Sequence, residues 1–129
     1  MVNFTRKPRY GYVDLLEIIR LLRSPEGCPW DKAQTHASIR RGLLEESYEA
    51  AEAIDLDDAA LLQEELGDVL FAAVKVGRFA GVDPETAIAS TCEKFIHRFR
   101  AVENGAQGRP LETLTPEEMT ELWNRAKRF

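Results

Sequence analysis

The sequence predicts an all-α fold, a bundle of about five helices around a central antiparallel hairpin. Three observations carry this. Apolar residues return every three or four positions through five segments, and no stretch alternates convincingly as a strand does. Helix-breaking and helix-capping residues fall where those segments meet. Two of the segments are joined only by the short acidic turn Asp55 to Asp58, which makes them antiparallel neighbours.

The first helix is expected from about Tyr12 to Arg23, with Leu15, Leu16, Ile18, Ile19 and Leu22 on its apolar side. Ser24-Pro25-Glu26-Gly27-Cys28-Pro29 ends it, because two prolines and a glycine cannot continue a helix. The second helix opens between Thr35 and Ser38 and runs to about Ile54. The third runs from Asp57 or Asp58 to Ala80, with Gly81 as its natural terminator. Asp83 as N-cap and Pro84 at the first helical position open the fourth, which reaches about Glu103. Residues 104–114 read as a loop before the C-terminal helix. That last helix starts at Thr115-Pro116-Glu117-Glu118, where Thr and Glu three apart form a capping box, and ends near Lys127.

The chain has 129 residues, 44 % hydrophobic and 30 % charged, which fits one globular domain over 1–129. A core of this size is modest. Pairing of subunits would complete it, and a homodimer or higher homo-oligomer is expected. A net charge of −5 argues against a nucleic-acid polymer as partner, though not against a small anion met by a few cations. No apolar run approaches the ~20 residues that cross a bilayer. Residues 1–11 read as a flexible basic arm carrying Arg6, Lys7 and Arg9, without the apolar segment of a secretory leader. Cys28 and Cys92 form no CxxC pair, so a reducing cytoplasm is the natural setting, and Cys92 reads as a small core residue.

The second and third helices hold an anomaly. On the second, Ile39, Leu43, Ala50, Ala53 and Ile54 define an apolar stripe at ~100° per residue. Glu46 falls inside it, Glu45 and Glu49 at its edge, and Glu52 well away. On the third, Leu61, Leu62, Leu66, Val69, Ala72, Ala73, Val76 and Phe79 form a broad arc with Glu65 inside and Asp68 at its border. Residues 69–74 are apolar all round, which predicts a central helix buried on several sides. Glu46 and Glu49 are three apart, as are Glu65 and Asp68, so each pair shares a helical face. The hairpin can bring the two pairs opposite one another. Converging carboxylates in a partly dry cleft must protonate, recruit protein cations or bind a metal. With no His or Cys among them, the hard cations Mg²⁺ or Mn²⁺ are favoured over Zn²⁺. Di-iron bundles use Glu-x-x-His pairs, and this sequence has none, since His97 follows Glu93 by four. For Glu52, Asp57, Asp58 and Glu64 an ordinary solvated face suffices.

These residues match a known pattern. Glu45-Glu46-Ser47-Tyr48-Glu49, followed by Glu65-Leu66-Gly67-Asp68, resembles the EExxE…ExxD signature of the MazG-like nucleoside triphosphate pyrophosphohydrolases. Gly27-Cys28-Pro29-Trp30-Asp31-Lys32-Ala33-Gln34-Thr35-His36 resembles the family segment that precedes it. Lys94-Phe95-Ile96-His97-Arg98-Phe99-Arg100-Ala101-Val102-Glu103 resembles the family's later basic helix, and Trp123 and Lys127 its C-terminal Trp and Lys. The resemblance spans roughly residues 12–128, in order.

It implies a single MazG-like domain that cleaves a nucleoside triphosphate to the monophosphate and pyrophosphate, in nucleotide-pool house-cleaning. It implies Mg²⁺ ligation by Glu46, Glu49, Glu65 and Asp68, phosphate contact by Lys94 and Arg98, and a place near the base for Trp123, with Lys127 also on the substrate. Glu45 or Glu49 would orient the attacking water as general base. Other readings stand beside these. Lys94 and Arg98, four apart beside the stripe of Ile88, Cys92, Phe95, Phe99 and Val102, also fit a solvated face. Trp123 also fits core or dimer packing. Trp30 either anchors its loop or walls a base pocket, Lys32 reaches phosphate in one reading, and His36 fits a structural role. The functional alternatives are a narrow dUTP or dCTP pyrophosphatase and a non-catalytic nucleotide-binding regulatory module.

Overall fold

A computed structural model describes residues 2–128. Every regular element among them is helical. Six α-helices follow in order: α1 Tyr12–Leu22, α2 Pro29–Lys32, α3 His36–Asp55, α4 Ala59–Ala80, α5 Pro84–Gly105 and α6 Pro116–Ala126. A 3-10 turn covers Leu111–Thr113. The chain forms two compact units, Met1–Pro84 and Glu85–Phe129.

In the first unit, the expected hairpin is α3 and α4. Thr35 caps α3, its hydroxyl accepting from the Ser38 amide at 3.1 Å while Ser38 Oγ accepts from the Thr35 amide at 2.9 Å. The turn after α3 reverses the chain at Asp57, whose φ of 52° lies in the left-handed region. Asp58 then caps α4, its carboxylate accepting from the Leu61 amide at 3.0 Å. Gly81 ends α4 at φ 72°, a conformation that costs a side-chain-bearing residue energy. α1 packs on α4, where Leu16, Ile19 and Val74 form a small core flanked by Tyr12, Leu15 and Phe71.

The sequence reading missed α2, a single turn inside the loop after α1. Two features build it. A Cβ at Gly27 would come within 2.2 Å of the Leu22 carbonyl oxygen, so only glycine allows the chain to turn there. The Cys28 amide then donates to that same oxygen at 2.8 Å, and Pro29 opens the turn.

The second unit contains α5, the 3-10 turn and α6 around Val102, Ala106, Leu122 and Ala126. α5 runs two residues beyond the expected end at Glu103, to Gly105, and the 3-10 turn occupies part of the expected loop. The Thr115 capping box is formed, with Glu118 Oε2 accepting from the Thr115 amide at 2.8 Å.

Three burial expectations fail. Of residues 69–74 only Val74 is buried, and Leu70 is 60 % exposed. The reason is that α1 and α3 flank α4 and leave its remaining apolar side uncovered. Ile54 is also exposed, beside the turn that joins α3 to α4. Cys92 is exposed because the stripe on α5 is buried only toward its C-terminal end, at Val102.

Candidate metal centre

The antiparallel hairpin sets Glu46 and Glu49 of α3 against Glu65 of α4. One carboxylate oxygen from each of the three lies within 4.8 Å of those of the other two. Their surroundings differ. Glu49 is exposed, whereas Glu46 and Glu65 are half-buried. Each of the half-buried pair holds its Oε2 out of solvent with no hydrogen-bond partner. An orphaned buried acceptor costs on the order of 1–3 kcal/mol and more when charged, so the fold alone gives no reason for either.

The electrostatics agree. Burial raises the Glu46 carboxyl above its ordinary value, and Glu49, Asp68 and Glu45 raise it further. Burial likewise pushes Glu65 up to about 7, with the Glu49 carboxyl next to it and then Asp68 and Glu64 adding to the shift. Among the described residues, no ion pair reaches Glu46, Glu49, Glu65 or Asp68. An all-oxygen donor set, two orphaned buried oxygens and no protein cation within the cluster together fit a hard divalent cation.

Asp68 lies one turn beyond Glu65 and is exposed. With Glu46 it lines a cleft of about 220 Å³ between the N-terminal half of α3 and the C-terminal half of α4. Gln34, Ser38, Phe71 and Lys75 line the same cleft. Glu45 is exposed and bears on the cluster only through its charge on Glu46.

The other predicted site residues divide by unit. In the first, Trp30 is 83 % exposed on α2. Lys32 Nζ donates to the Pro25 carbonyl at 2.7 Å, which holds the loop. His36 meets Phe79 edge-on with ring centroids 5.1 Å apart. In the second unit, Lys94 is exposed, and Arg98 is half-buried with its Nε out of solvent and unpartnered. Trp123 packs on that unit's core and tilts against Phe95 at 5.6 Å, and Lys127 Nζ stands 6.0 Å from its ring centre.

Lys75 and Asp31 escaped the sequence reading. Lys75 Nζ lies 3.5 Å from Asp31 Oδ1, and Asp31 is buried. The available signal was the seven-residue step from Asp68 to Lys75, two helical turns, which returns the lysine to the face of the carboxylates.

Fold and site together define an all-α protein with a carboxylate cluster suited to a hard cation. The description of the family model that matches residues 34–102 is "MazG nucleotide pyrophosphohydrolase domain", and the chain belongs to this family. It is 44 % identical over 91 residues to the nucleoside triphosphate pyrophosphohydrolase/pyrophosphatase MazG of Thermotoga maritima, covering 67 % of this chain and 36 % of that protein. It is 46 % identical over 88 residues to the nucleoside triphosphate pyrophosphohydrolase of Escherichia coli K12, covering 62 % of this chain and 34 % of that one. The chain thus spans about a third of the length of these curated relatives. The crystal structure of a MazG-related protein from Thermotoga maritima superimposes with a TM-score of 0.65 at 34 % identity, covering 89 % of this chain and 97 % of that one.

Proposed function

We propose that this chain hydrolyses nucleoside triphosphates to the monophosphate and pyrophosphate, with Mg²⁺ (or Mn²⁺) held by Glu46, Glu49, Glu65 and Asp68. The observation that carries the reading is the pair of orphaned, buried oxygens on Glu46 and Glu65, in a chain whose relatives include named pyrophosphohydrolases. A bound divalent cation supplies charge neutralisation to the phosphate chain and acidifies water.

The chain's own residues do the rest. Glu46 and Glu65 are fixed by their helices and half-buried, so they hold the charge in place. Glu49 or Glu45, both exposed, takes the proton of the attacking water. The water oxygen bonds to the α-phosphorus, the bond from that phosphorus to the bridging oxygen breaks, and pyrophosphate leaves with the electron pair. Lys94, Arg98, Trp123, Lys127, Trp30 and Lys32 are assigned to substrate on the motif match alone. The uncovered apolar side of α4, with Leu66 and Leu70 exposed, supports pairing with a second copy. House-cleaning in the cytoplasm fits this chemistry, and no helix among the described residues is long and apolar enough to cross a membrane.

The test is a panel of ordinary, deoxy and modified nucleoside triphosphates with Mg²⁺ or EDTA, read by pyrophosphate release. Hydrolysis in H₂¹⁸O should label the monophosphate. Label in pyrophosphate, or orthophosphate as the product, would overturn the reaction as written.

A further inference from the structure

We propose that Lys75 anchors the phosphate chain of the substrate in the α3–α4 cleft, and that Asp31 positions it. The proposal rests on the pyrophosphohydrolase reading and adds a cation to it from the same unit as the carboxylates.

Lys75 lines the 220 Å³ cleft together with Glu46 and Asp68. On α4 it stands two turns beyond Asp68, ~10 Å along the axis. Helical side chains lean toward the helix N-terminus, which on α4 is the end of Asp68 and Glu65. That lean gives the flexible lysine stem a route toward the carboxylates, while its ammonium stands 3.5 Å from Asp31 Oδ1.

Its present partner leaves it underused. An ammonium has three donors. Asp31 Oδ1 is 3.5 Å away and the two form no hydrogen bond, whereas a charge-assisted bond closes to about 2.8 Å. The lysine side chain is only 25 % exposed, so water satisfies the charge poorly. Asp31 is 12 % exposed by its side chain and sits on α2, whose position is set by the Gly27 turn and by Arg23 Nη1 donating to the Asp31 carbonyl at 2.8 Å. A fixed, buried carboxylate holds the ammonium at the cleft wall without using up its donors.

The chemistry selects the ligand. Glu46 and Asp68 line the cleft's near end, and Glu49 and Glu65 cluster with Glu46 beside it, so that end is negative and an anion enters there with a divalent cation. Its remaining charge then needs a cation further along. A compact ammonium suits phosphate oxygens as a point charge. A diphosphate group bridging the two ends is the ligand class that uses both.

The test uses a probe that carries no base and is not cleaved between its phosphorus atoms. Wild type, Lys75→Met, Lys75→Arg and the double variant Asp31→Asn/Lys75→Met are titrated with imidodiphosphate in saturating Mg²⁺, and separately with Mg²⁺ alone. Lys75→Met is expected to weaken imidodiphosphate about tenfold, the worth of one charge-assisted bond. Mg²⁺ alone should bind it as well as wild type or better, because a positive charge has left the cleft. A damaged fold would weaken both. Lys75→Arg should recover most of the anion affinity. The double variant removes both buried charges, so it keeps the fold even where Lys75→Met strands Asp31, and it should bind imidodiphosphate as weakly. Wild-type affinity for imidodiphosphate in either methionine variant overturns the proposal, as does failure of wild type to bind it. Pyrophosphate release from triphosphates by wild type is scored separately, so a chain that cleaves triphosphates but is indifferent to Lys75 loses only this inference.

Discussion

Glu65 and Glu118 show two uses of one side chain. Glu118 closes the capping box of α6, accepting from the Thr115 amide at 2.8 Å and from Arg109 Nη1 at 2.9 Å. Arg109 and then the Thr115 amide draw its carboxyl below the ordinary value. Glu65 has a buried oxygen without a partner, and burial and its acidic neighbours push it up to about 7. The first glutamate stabilises its helix. The second works against its own. A sequence selected for stability alone would hold Gln or Leu at such a position, and the proposed metal centre accounts for the carboxylate that stands there instead.

The contrast breaks most visibly at activity. Glu46→Ala or Asp68→Ala should lower pyrophosphate release at least about a hundredfold, the order of losing a principal electrostatic contact to the reacting phosphate. Circular dichroism should still report the full helix content. Glu65→Gln should lose activity similarly while raising the metal-free melting temperature, because it removes a charge that the fold does not want. A lowered melting temperature in that variant would mean that Glu65 is structural after all.

Metal is the next largest lever. Mg²⁺ at about a hundred times its dissociation constant should stabilise the protein by about 2.7 kcal/mol, and EDTA should reverse both this and the activity. The gain should be larger at alkaline than at acid pH, since the carboxylates must lose their protons to bind. Differential scanning fluorimetry with and without Mg²⁺ at two pH values reads this directly. Equal gains at both values would separate the ion from the raised carboxyls.

The pH dependence of the metal-free protein sharpens the comparison further. An unfolded Glu65 titrates near 4.5 and the folded one at about 7. Below 4.5 both states hold the proton and nothing is lost. Between the two values the folded state binds the proton more, so stability falls as pH rises, and the cost is complete above about 7. Glu118 has the opposite sign. Its contribution is present above 4.5 and fades as pH falls through its lowered folded value. Metal-free melting temperature should therefore decline from about pH 5 to about pH 8, with Glu65→Gln flattening the decline. A flat wild-type profile would contradict the raised Glu65.

The fold was legible where one residue dictates geometry locally. Asp58, Gly81, Pro84 and Thr115 marked helix ends that the structure places within a residue or two. The helical wheel also separated Glu46 and Glu65 from Glu49 and Asp68, and the same separation appears in burial. What stayed hidden depends on three-dimensional neighbours. α2 needs the close approach of Gly27 to Leu22, which no periodicity announces. Leu70 and Cys92 looked interior because periodicity gives the apolar face of a helix but not what covers it. Lys75 gains its interest only when α2 sets Asp31 against it.

The smallest effect belongs to the well-satisfied end of the comparison. Thr115 Oγ1 accepts from the Glu118 amide at 3.1 Å, and Thr115→Ala removes that acceptor while leaving the Glu118 side chain in place. The cost should be about 1 kcal/mol in urea unfolding, with Thr115→Ser retaining most of the cap. The direction matters more than the size. Removing a partner at α6 should lower stability, while removing the charge of Glu65 at α4 should raise it, although each substitution deletes one polar function. Mg²⁺ affinity provides the second axis, unchanged by Thr115→Ala and reduced by Glu65→Gln. Should both substitutions destabilise the metal-free protein alike, Glu65 would be one more structural carboxylate, and the metal centre would lose its main physical support.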